Sequence, residues 1–406
     1  MDEAMVGCIR DGARNLREFV STNVAESMYL VGLLFFLIQG FLDTTMFAYV
    51  MPASAIPILK GIAFGIIALK IIIFDFRTSI RHTVLTLSLL GIGALSILFD
   101  GYTAPFQFVL MVVGAFRVDF DRIARLYFWV SVSLTVITFV AGFTGLIPNV
   151  AVSREVGTVY SYGFYYITEF SAHVLSITLV WIYLNRSNLS GRVYLPAIIW
   201  SSAVFILVNG KMSFLLSLLV MVAIAISEVR QGRMGISYCF PRVLIYSFYV
   251  MAVISLILMV CYTDSGALAW LNDLLTNRLY YAHEAFTRYG ITAFGKQIEM
   301  LGWGGGKSVQ YQDYFYIDCS YVNILLRYGY IILLMVLTLC TVPLFRIRKS
   351  AGVIAWLLFG IAIASFVNEH LMSIPYNIFV LMAFANYSEY VPKHLTKNTT
   401  NALRGM

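Results

Sequence analysis

The strongest constraint on this chain is the recurrence, from Met28 to Tyr387, of apolar runs long enough to cross a bilayer. Lipid offers no partners to backbone N–H and C=O groups, so each run must close its hydrogen bonds as a helix or belong to a closed barrel. The runs are continuous rather than alternating, which selects helices. Composition agrees: 60% of the 406 residues are hydrophobic and 12% are charged, with a mean hydropathy of +0.81, far from a water-soluble domain. The expected fold class is an all-α polytopic integral membrane protein.

Twelve spans are expected, at about 28–43, 54–74, 83–99, 104–116, 124–147, 170–185, 193–209, 212–227, 243–262, 320–344, 351–368 and 371–388. Spans four and seven are short enough to be re-entrant segments or paired hairpins. The net charge of +7 is not a nucleic-acid signal, because the basic residues gather in short loops at every second helix end, among them Arg77, Arg81, Arg117, Arg122, Arg125, Arg186, Arg192 and Arg346. That pattern marks the cytoplasmic side and puts both termini there. No cleavable signal peptide is expected, since the first apolar run starts near Met28 without a small-residue cleavage site. The chain then divides into a cytoplasmic segment 1–27, nine helices within 28–263, an extracytoplasmic loop subdomain 264–319, three helices within 320–388 and a cytoplasmic tail 389–406. Five scattered cysteines suggest neither a disulfide nor a zinc framework. No internal repeat is evident, which weighs against a secondary transporter.

Basic residues on the opposite side run against the topology bias: Arg154, Lys211, Arg278, Arg288, Lys296, Lys307 and Arg327. Ionisable groups at membrane depth are functional suspects, and guanidinium and ammonium groups clamp phosphate oxygens well. The plain alternative is that Lys211 snorkels to the interface and Arg327, roughly 13 Å along a helix from Asp318, pairs with a carboxylate. Asp318-Cys319-Ser320-Tyr321 opens span ten and sets Asp318 and Tyr321 on one helical face, where Asp318 is either an N-cap or a catalytic group. Glu369-His370 lies at the outer turn between spans eleven and twelve, where a carboxylate can act as a base or orient one.

Other motifs fail on context. Asp119-Phe120-Asp121 has the form of a metal-binding DxD but lies in a short cytoplasmic turn. Gly302-Trp303-Gly304-Gly305-Gly306-Lys307-Ser308 is one residue short of a phosphate loop and follows no buried strand. The histidines show no metal-ligand spacing, so neither a metal nor another cofactor is expected. Aromatic residues, including Tyr160, Tyr162, Tyr165, Tyr166, Trp270, Tyr280, Tyr281 and Trp303, collect on the outer side, as an interface belt or as platforms for sugar rings.

With these residues placed, the chain resembles the O-antigen ligase and Wzy-type polysaccharide polymerase superfamily. The resemblance rests on a long late outer loop, Asn277-Arg278-Leu279 near its start, Phe294-Gly295 in its middle and Asp318 through Gly329 at its end. Asp318 stands where the ligases carry a proposed catalytic His. Arg154 with Ser161-Tyr162-Gly163-Phe164 resembles the family's Arg and Gly-Phe segment, and Gly210-Lys211 takes the place of a Ser-Arg pair, keeping charge without the bidentate fork.

The resemblance implies a membrane fold of GT-C-like character and a metal-independent, inverting glycosyltransferase in the bacterial cytoplasmic membrane. Donor and acceptor would both be undecaprenyl-diphosphate-linked oligosaccharides, worked on among membrane lipids and beside a chain-length regulator and a flippase. Arg154, Lys211, Arg278 and Arg288 would hold the diphosphate. Asp318 or Glu369 would take or align the acceptor proton, with Tyr321, Arg327, His370 and Tyr281 in supporting roles. The missing His favours polymerase over ligase. A lipid-linked glycan flippase is a further reading, disfavoured because the charges gather on one side.

Overall fold

The computed structural model describes residues 3–154, 157–234, 242–306, 314–347 and 352–387, with side chains from Thr22 onward except at Arg154, 230–234, 242–243 and Gly306. Among them, nine helices are long and apolar enough to cross a membrane, and two shorter apolar helices join them. The chain is an all-α, multi-pass membrane protein. In order the helices are α1 (Glu3–Asp43), α2 (Phe47–Val50), α3 (Ala55–Lys70), α4 (Ile80–Asp100), α5 (Ala104–Gly114), α6 (Phe120–Phe143), α7 (Ile167–Leu184), α8 (Gly191–Val208), α9 (Lys211–Met234), α10 (Ser247–Cys261), α11 (Gly266–Leu274), α12 (Arg278–Tyr289), α13 (Ser320–Arg346) and α14 (Gly352–Val367). The segment assigned ahead of the first span is itself helical from Glu3 and continuous with it. The expected tail 389–406 and Lys307 lie outside the described residues.

Helix α1 packs along α3 and α6, α7 against α6, α8 and α9, and α14 against α9, α10 and α13. Small residues set the closest approaches, because lipid gives helices no hydrophobic reason to associate and contact must do it. A Cβ on Gly32 would lie 2.6 Å from Ile67 Cγ1, and one on Gly114 2.6 Å from Ile67 Cγ2.

One end of the bundle gathers the basic turns. There Lys70, 1% exposed, donates to both Asp75 oxygens at 2.8 Å and to the Gly114 and Phe116 carbonyls at 3.0 and 2.8 Å, closing the C-terminus of α5 with a cation. Both carboxylates of Asp119-Phe120-Asp121 are engaged structurally: Asp119 caps α6 through the Asp121 N–H, and Asp121 accepts from Arg186 at 2.9 Å and Tyr183 at 2.6 Å.

The opposite end is built from loops. Pro148 to Tyr166 carries an antiparallel hairpin, β1 (Ala151–Arg154) with β2 (Gly157–Tyr160), Val152 opposite Val159. Its far side is tied to the end of α1 by Met46 N to Gly163 O (2.8 Å) and Tyr165 N to Thr44 O (2.9 Å). The Gly304–Gly306 turn docks on the same loop through Gly305 N to Tyr165 O (2.8 Å), a packing role rather than a phosphate cradle.

Two departures from regular helix shape this end. Helix α13 is broken at Gly329 (φ 89°, ψ 168°), a conformation essentially reserved for glycine. The loop strand Thr292–Lys296 plugs the break: Tyr330 N donates to Thr292 O (3.1 Å), Ile331 N to Ala293 O (3.2 Å) and Lys296 N to Leu326 O (3.2 Å). Gly295 (φ 83°) sits directly on the Arg327 carbonyl. Thus the Phe294-Gly295 and Tyr328-Gly329 pairs singled out in the sequence touch one another, each glycine leaving room for the other strand.

The second departure corrects the expectation of a helical span at 371–388. Residues 371–387 form two 3-10 turns, His370–Met372 and Ile378–Ala383, joined by irregular backbone. Pro375 has no N–H to donate and pushes Ile374 away from the α region. The segment is nonetheless buried from Ile374 to Ala383 and runs from the loop end to the basic end, where Asn386 N meets Val118 O at 2.8 Å. Its carbonyls are met by side chains: Tyr127 on Pro375 O (2.5 Å), Ser176 on Tyr376 O (2.9 Å) and Arg346 on Met382 O (2.8 Å) and Ala385 O (3.1 Å). Such backbone is tolerated at membrane depth only where protein surrounds it. The sequence signalled apolarity, which does not separate a helix from a core strand walled by helices.

Candidate functional site

The site forms where the unwound segment, the start of α13, the start of α12 and the start of α7 meet at the loop end. Arg278 opens α12, immediately after Thr276 and Asn277, both in the left-handed region (φ 54° and 65°). Buried Asn272 fixes this turn: its Nδ2 donates to Asn277 Oδ1 (2.9 Å) and its Oδ1 accepts from Tyr280 N (3.0 Å). An asparagine tolerates that backbone better than most residues, which accounts for the Asn277-Arg278 pair in the sequence.

From this turn Arg278 reaches Asp318, Nε to Oδ2 at 3.6 Å, while its Nη1 donates to Leu275 O (3.1 Å) and Thr276 Oγ1 (2.6 Å). The two side chains keep 15% and 27% exposure, so the pair is reachable from outside. Asp318 does not cap α13; Cys319 is the N-cap and makes no side-chain cap bond. Ser320 performs the fastening, donating to Asn368 O (2.5 Å) and accepting from Leu371 N (3.1 Å), and so binds the start of α13 to the turn that carries Glu369 and His370.

Glu369 accepts from the Tyr316 hydroxyl and from Asn323 Nδ2 (3.2 Å). His370 stacks flat on Tyr376 (centroids 3.9 Å, 10°) and places Nε2 3.8 Å from Glu169 Oε2. Glu169 in turn accepts from the Tyr376 hydroxyl, which lies 3.0 Å from Nε2 of fully buried His173; that nitrogen is also 3.0 Å from Thr44 Oγ1. Three carboxylates, two imidazoles and one guanidinium therefore share one site. A narrow cavity lined by Ser176, Asn368, His370, Tyr376 and Asn377 continues from it between α7 and α14.

Electrostatics separate the groups. Burial pushes the Asp318 carboxyl above the usual range, and Arg278 and His370 pull it partly back. Burial also raises Glu369, opposed by His370 and the Tyr316 hydroxyl and reinforced by Asp318 and Glu169. His370 is lowered by burial, against the pull of Glu369 and Asp318. Asp318 is thus a carboxylate of raised basicity, held in an orientation by Arg278 and bordered by the His370 imidazole, whose own proton affinity burial lowers. The rim is aromatic: Trp303 stacks on Tyr314 (5.4 Å, 19°), Tyr314 meets Tyr281 edge-on (5.1 Å), and Tyr49 stacks on Tyr165 (6.2 Å, 21°). The Tyr314 phenol is raised by burial and by Asp318, which sets it at the same mouth.

Of the residues singled out in the sequence, the structure brings Asp318, Arg278, Glu369, His370 and Tyr281 together. Lys211 is exposed at the start of α9, on the turn where Gly210 packs against Ser171, two residues along α7 from Glu169. The Arg154 side chain lies outside the described residues, its backbone ending β1. Arg288 faces solvent in an ion pair with Glu284 and lies over the Phe315 ring (5.0 Å). Arg327 lies over Tyr102 (4.4 Å) at the helix break rather than on a carboxylate. Tyr321 does not share a face with Asp318: it is fully buried and donates to Ala362 O at 2.8 Å, tying α13 to α14. The sequence reading missed Glu169, His173, Tyr316, Asn323 and Tyr376. Only the ionisable pair Glu169 and His173, four residues apart at the start of an apolar run, carried a signal.

No family model, curated protein or solved structure matches the chain.

Proposed function

We propose that this protein is a polysaccharide repeat-unit polymerase of the bacterial cytoplasmic membrane, transferring a growing undecaprenyl-diphosphate-linked glycan onto a lipid-linked repeat unit at the loop end. The observation that carries the reading is the Asp318–Arg278 pair: a solvent-reachable carboxylate of raised basicity, oriented by a guanidinium, beneath an aromatic rim. In this reaction the acceptor O–H bond breaks toward Asp318, the acceptor oxygen bonds the anomeric carbon, and the bond from that carbon to the diphosphate breaks, inverting the centre. The diphosphate leaves as an anion, so nearby cations lower its barrier. Arg278 serves this role with Arg154 and Lys211, whereas Arg288 is already held by Glu284.

The basic turns support a cytoplasmic assignment for the end opposite the site. In this reading the unwound 371–387 segment is a final crossing beside the eleven apolar helices, and both termini belong on that side.

Transport is the second reading, favoured by one feature: ionisable Glu169 and His173 lie within a candidate span, next to non-helical backbone at membrane depth. Lipid-linked glycans extracted from depleted cells, complemented with wild type or Asp318→Asn, separate the readings. Single units accumulating on the outer face, with long chains restored only by wild type, support the polymerase. Long lipid-linked chains would assign ligase activity, and single units trapped on the inner face would assign a flippase.

A further inference from the structure

Helix α11 presents apolar side chains on two sides, and protein covers one of them. Leu268 and Leu271 face inward, into a small cluster built on Tyr262, Leu275, Leu279 and Val367. On the other side Ala267, Trp270 and Leu274 recur at i, i+3 and i+7, which is one helical face. Trp270 is 67% and Leu274 60% exposed, and the exposed Asp273 is the only charged residue of the helix.

The level at which α11 sits decides what meets this face. The inner cluster also takes in Leu258, from the last turn of α10, with Phe366 and Val367 at the end of α14. Helix α10 closes the candidate span Leu244–Cys261, so α11 lies where membrane-crossing helices end and not above them. A row of bare apolar side chains on α10, Val253, Ile257 and Val260, runs up to the same level. The next stretch of the loop also descends to the spans. Thr292–Lys296 pairs with the break in α13 at Gly329, about 13 Å from the helix start toward the basic end. There Phe294 stacks on Phe99, in the last turn of α4 (4.8 Å, 9°). A helix held at this depth with a Trp and a Leu outward and an acidic residue at the edge of that face has the character of an interfacial membrane helix.

We infer that the outer face of α11 is seated in the lipid of the leaflet at the loop end, and that this seat sets the depth of Arg278. The inner side of the helix makes the connection. Buried Asn272 holds the Thr276-Asn277 turn through Asn277 Oδ1 and Tyr280 N, and from that turn Arg278 reaches Asp318. A ligand whose anionic group rides among the headgroups then meets Arg278 with its tail still in the bilayer. The role in ligand depth rests on the proposed transferase activity; the lipid contact does not. Trp270 and Leu274 are positioning residues in this scheme, acting through Arg278.

The test uses the full-length protein in nanodiscs whose lipids carry bromine on the acyl chains close to the headgroup. The contribution of Trp270, one of six tryptophans, is the difference between wild type and Trp270→Phe. Bromolipid should remove most of that emission and aqueous iodide little of it. Iodide quenching that exceeds bromolipid quenching sets the face in water; quenching by neither sets it under protein, such as a second copy of this chain. Either result overturns the seat. Leu274→Trp, read in the Trp270→Phe background, should repeat the lipid result one turn along, and iodide-dominated quenching there overturns it too. For depth, the variant is Leu274→Lys, or Leu274→Gln if the lysine lowers the melting temperature. It should raise KM for lipid-linked repeat units in nanodiscs several-fold at unchanged kcat, and leave KM unchanged for a water-soluble analogue on a short prenyl diphosphate. An equal rise for both substrates, or a rise for neither, overturns the depth role alone. Absence of turnover in wild type defeats the transferase reading and with it the depth role, while the quenching still decides the seat.

Discussion

Replacing Gly329 by alanine should unseat the loop that frames the site. At φ 89° and ψ 168° the residue occupies a region that costs a side-chain-bearing residue of order 1–3 kcal/mol. An added Cβ would also run into the Ala293 carbonyl and approach Phe294 N at 2.5 Å, and because these are backbone atoms no rotamer change relieves the contact. Relief requires withdrawing Thr292–Lys296, which forfeits the bonds from Tyr330 N and Ile331 N, each about 1 kcal/mol net. The sum is about 3–5 kcal/mol. Gly101 is the control: it too has positive φ (77°), but nothing lies within 4 Å of its added Cβ, so Gly101→Ala should cost about 1 kcal/mol, the conformational penalty alone. Thermal unfolding in one detergent, followed by helix signal, should show Gly329→Ala melting well below Gly101→Ala, and limited proteolysis should open the 290–298 region in the former. Equal melting shifts would refute the reasoning, since only the clash and the docked strand distinguish the two sites.

Other consequences follow from the same contacts. Asp318→Asn keeps the size of the side chain but not its basicity and should reduce turnover by about 100- to 10,000-fold, the range for losing a general base, with melting unchanged. Turnover should fall on acidification with a midpoint above the ordinary carboxylate value, because the active form is the Asp318 carboxylate and burial raises its pKa. Arg278 opposes that rise, so the residual activity of Arg278→Gln should show a midpoint higher still; a lower one would contradict the pairing. Lys70→Met should cost about 3–5 kcal/mol by stranding Asp75 in a buried site, while the Lys70→Met, Asp75→Leu double variant should recover most of it. Tyr321→Phe should lose about 1 kcal/mol of stability through its bond to Ala362 O and leave turnover intact.

What the sequence made legible was whatever depends on apolar length. Ten of the expected spans fall on helices, most with ends that differ by a few residues, although α1 begins at Glu3, well ahead of 28, and α9 runs on to Met234; the short fourth span is an eleven-residue helix, Ala104–Gly114. The unwound 371–387 segment was hidden because burial among helices demands the same apolar residues as a span; Pro375 and Asn377 inside it were the local dissent. Within the site, residues close in sequence to the glycine and asparagine signatures, Arg278 and Asp318, were found. Glu169 and Tyr376 join it across 207 residues of sequence, and only the packing of α7 against the unwound segment brings them together. Arg288 and Arg327 were singled out on charge alone; the structure sets Arg288 beside Glu284 and lays Arg327 over the Tyr102 ring.

The most direct test of the central claim is reconstitution of the purified protein in nanodiscs with a defined undecaprenyl-diphosphate-linked repeat unit, with glycan length read by electrophoresis. Wild type should convert single units into a ladder of multiples and release undecaprenyl diphosphate in step, and a folded Asp318→Asn protein should do neither. A wild-type protein that builds no ladder, or an Asp318→Asn protein that builds the same one, contradicts it.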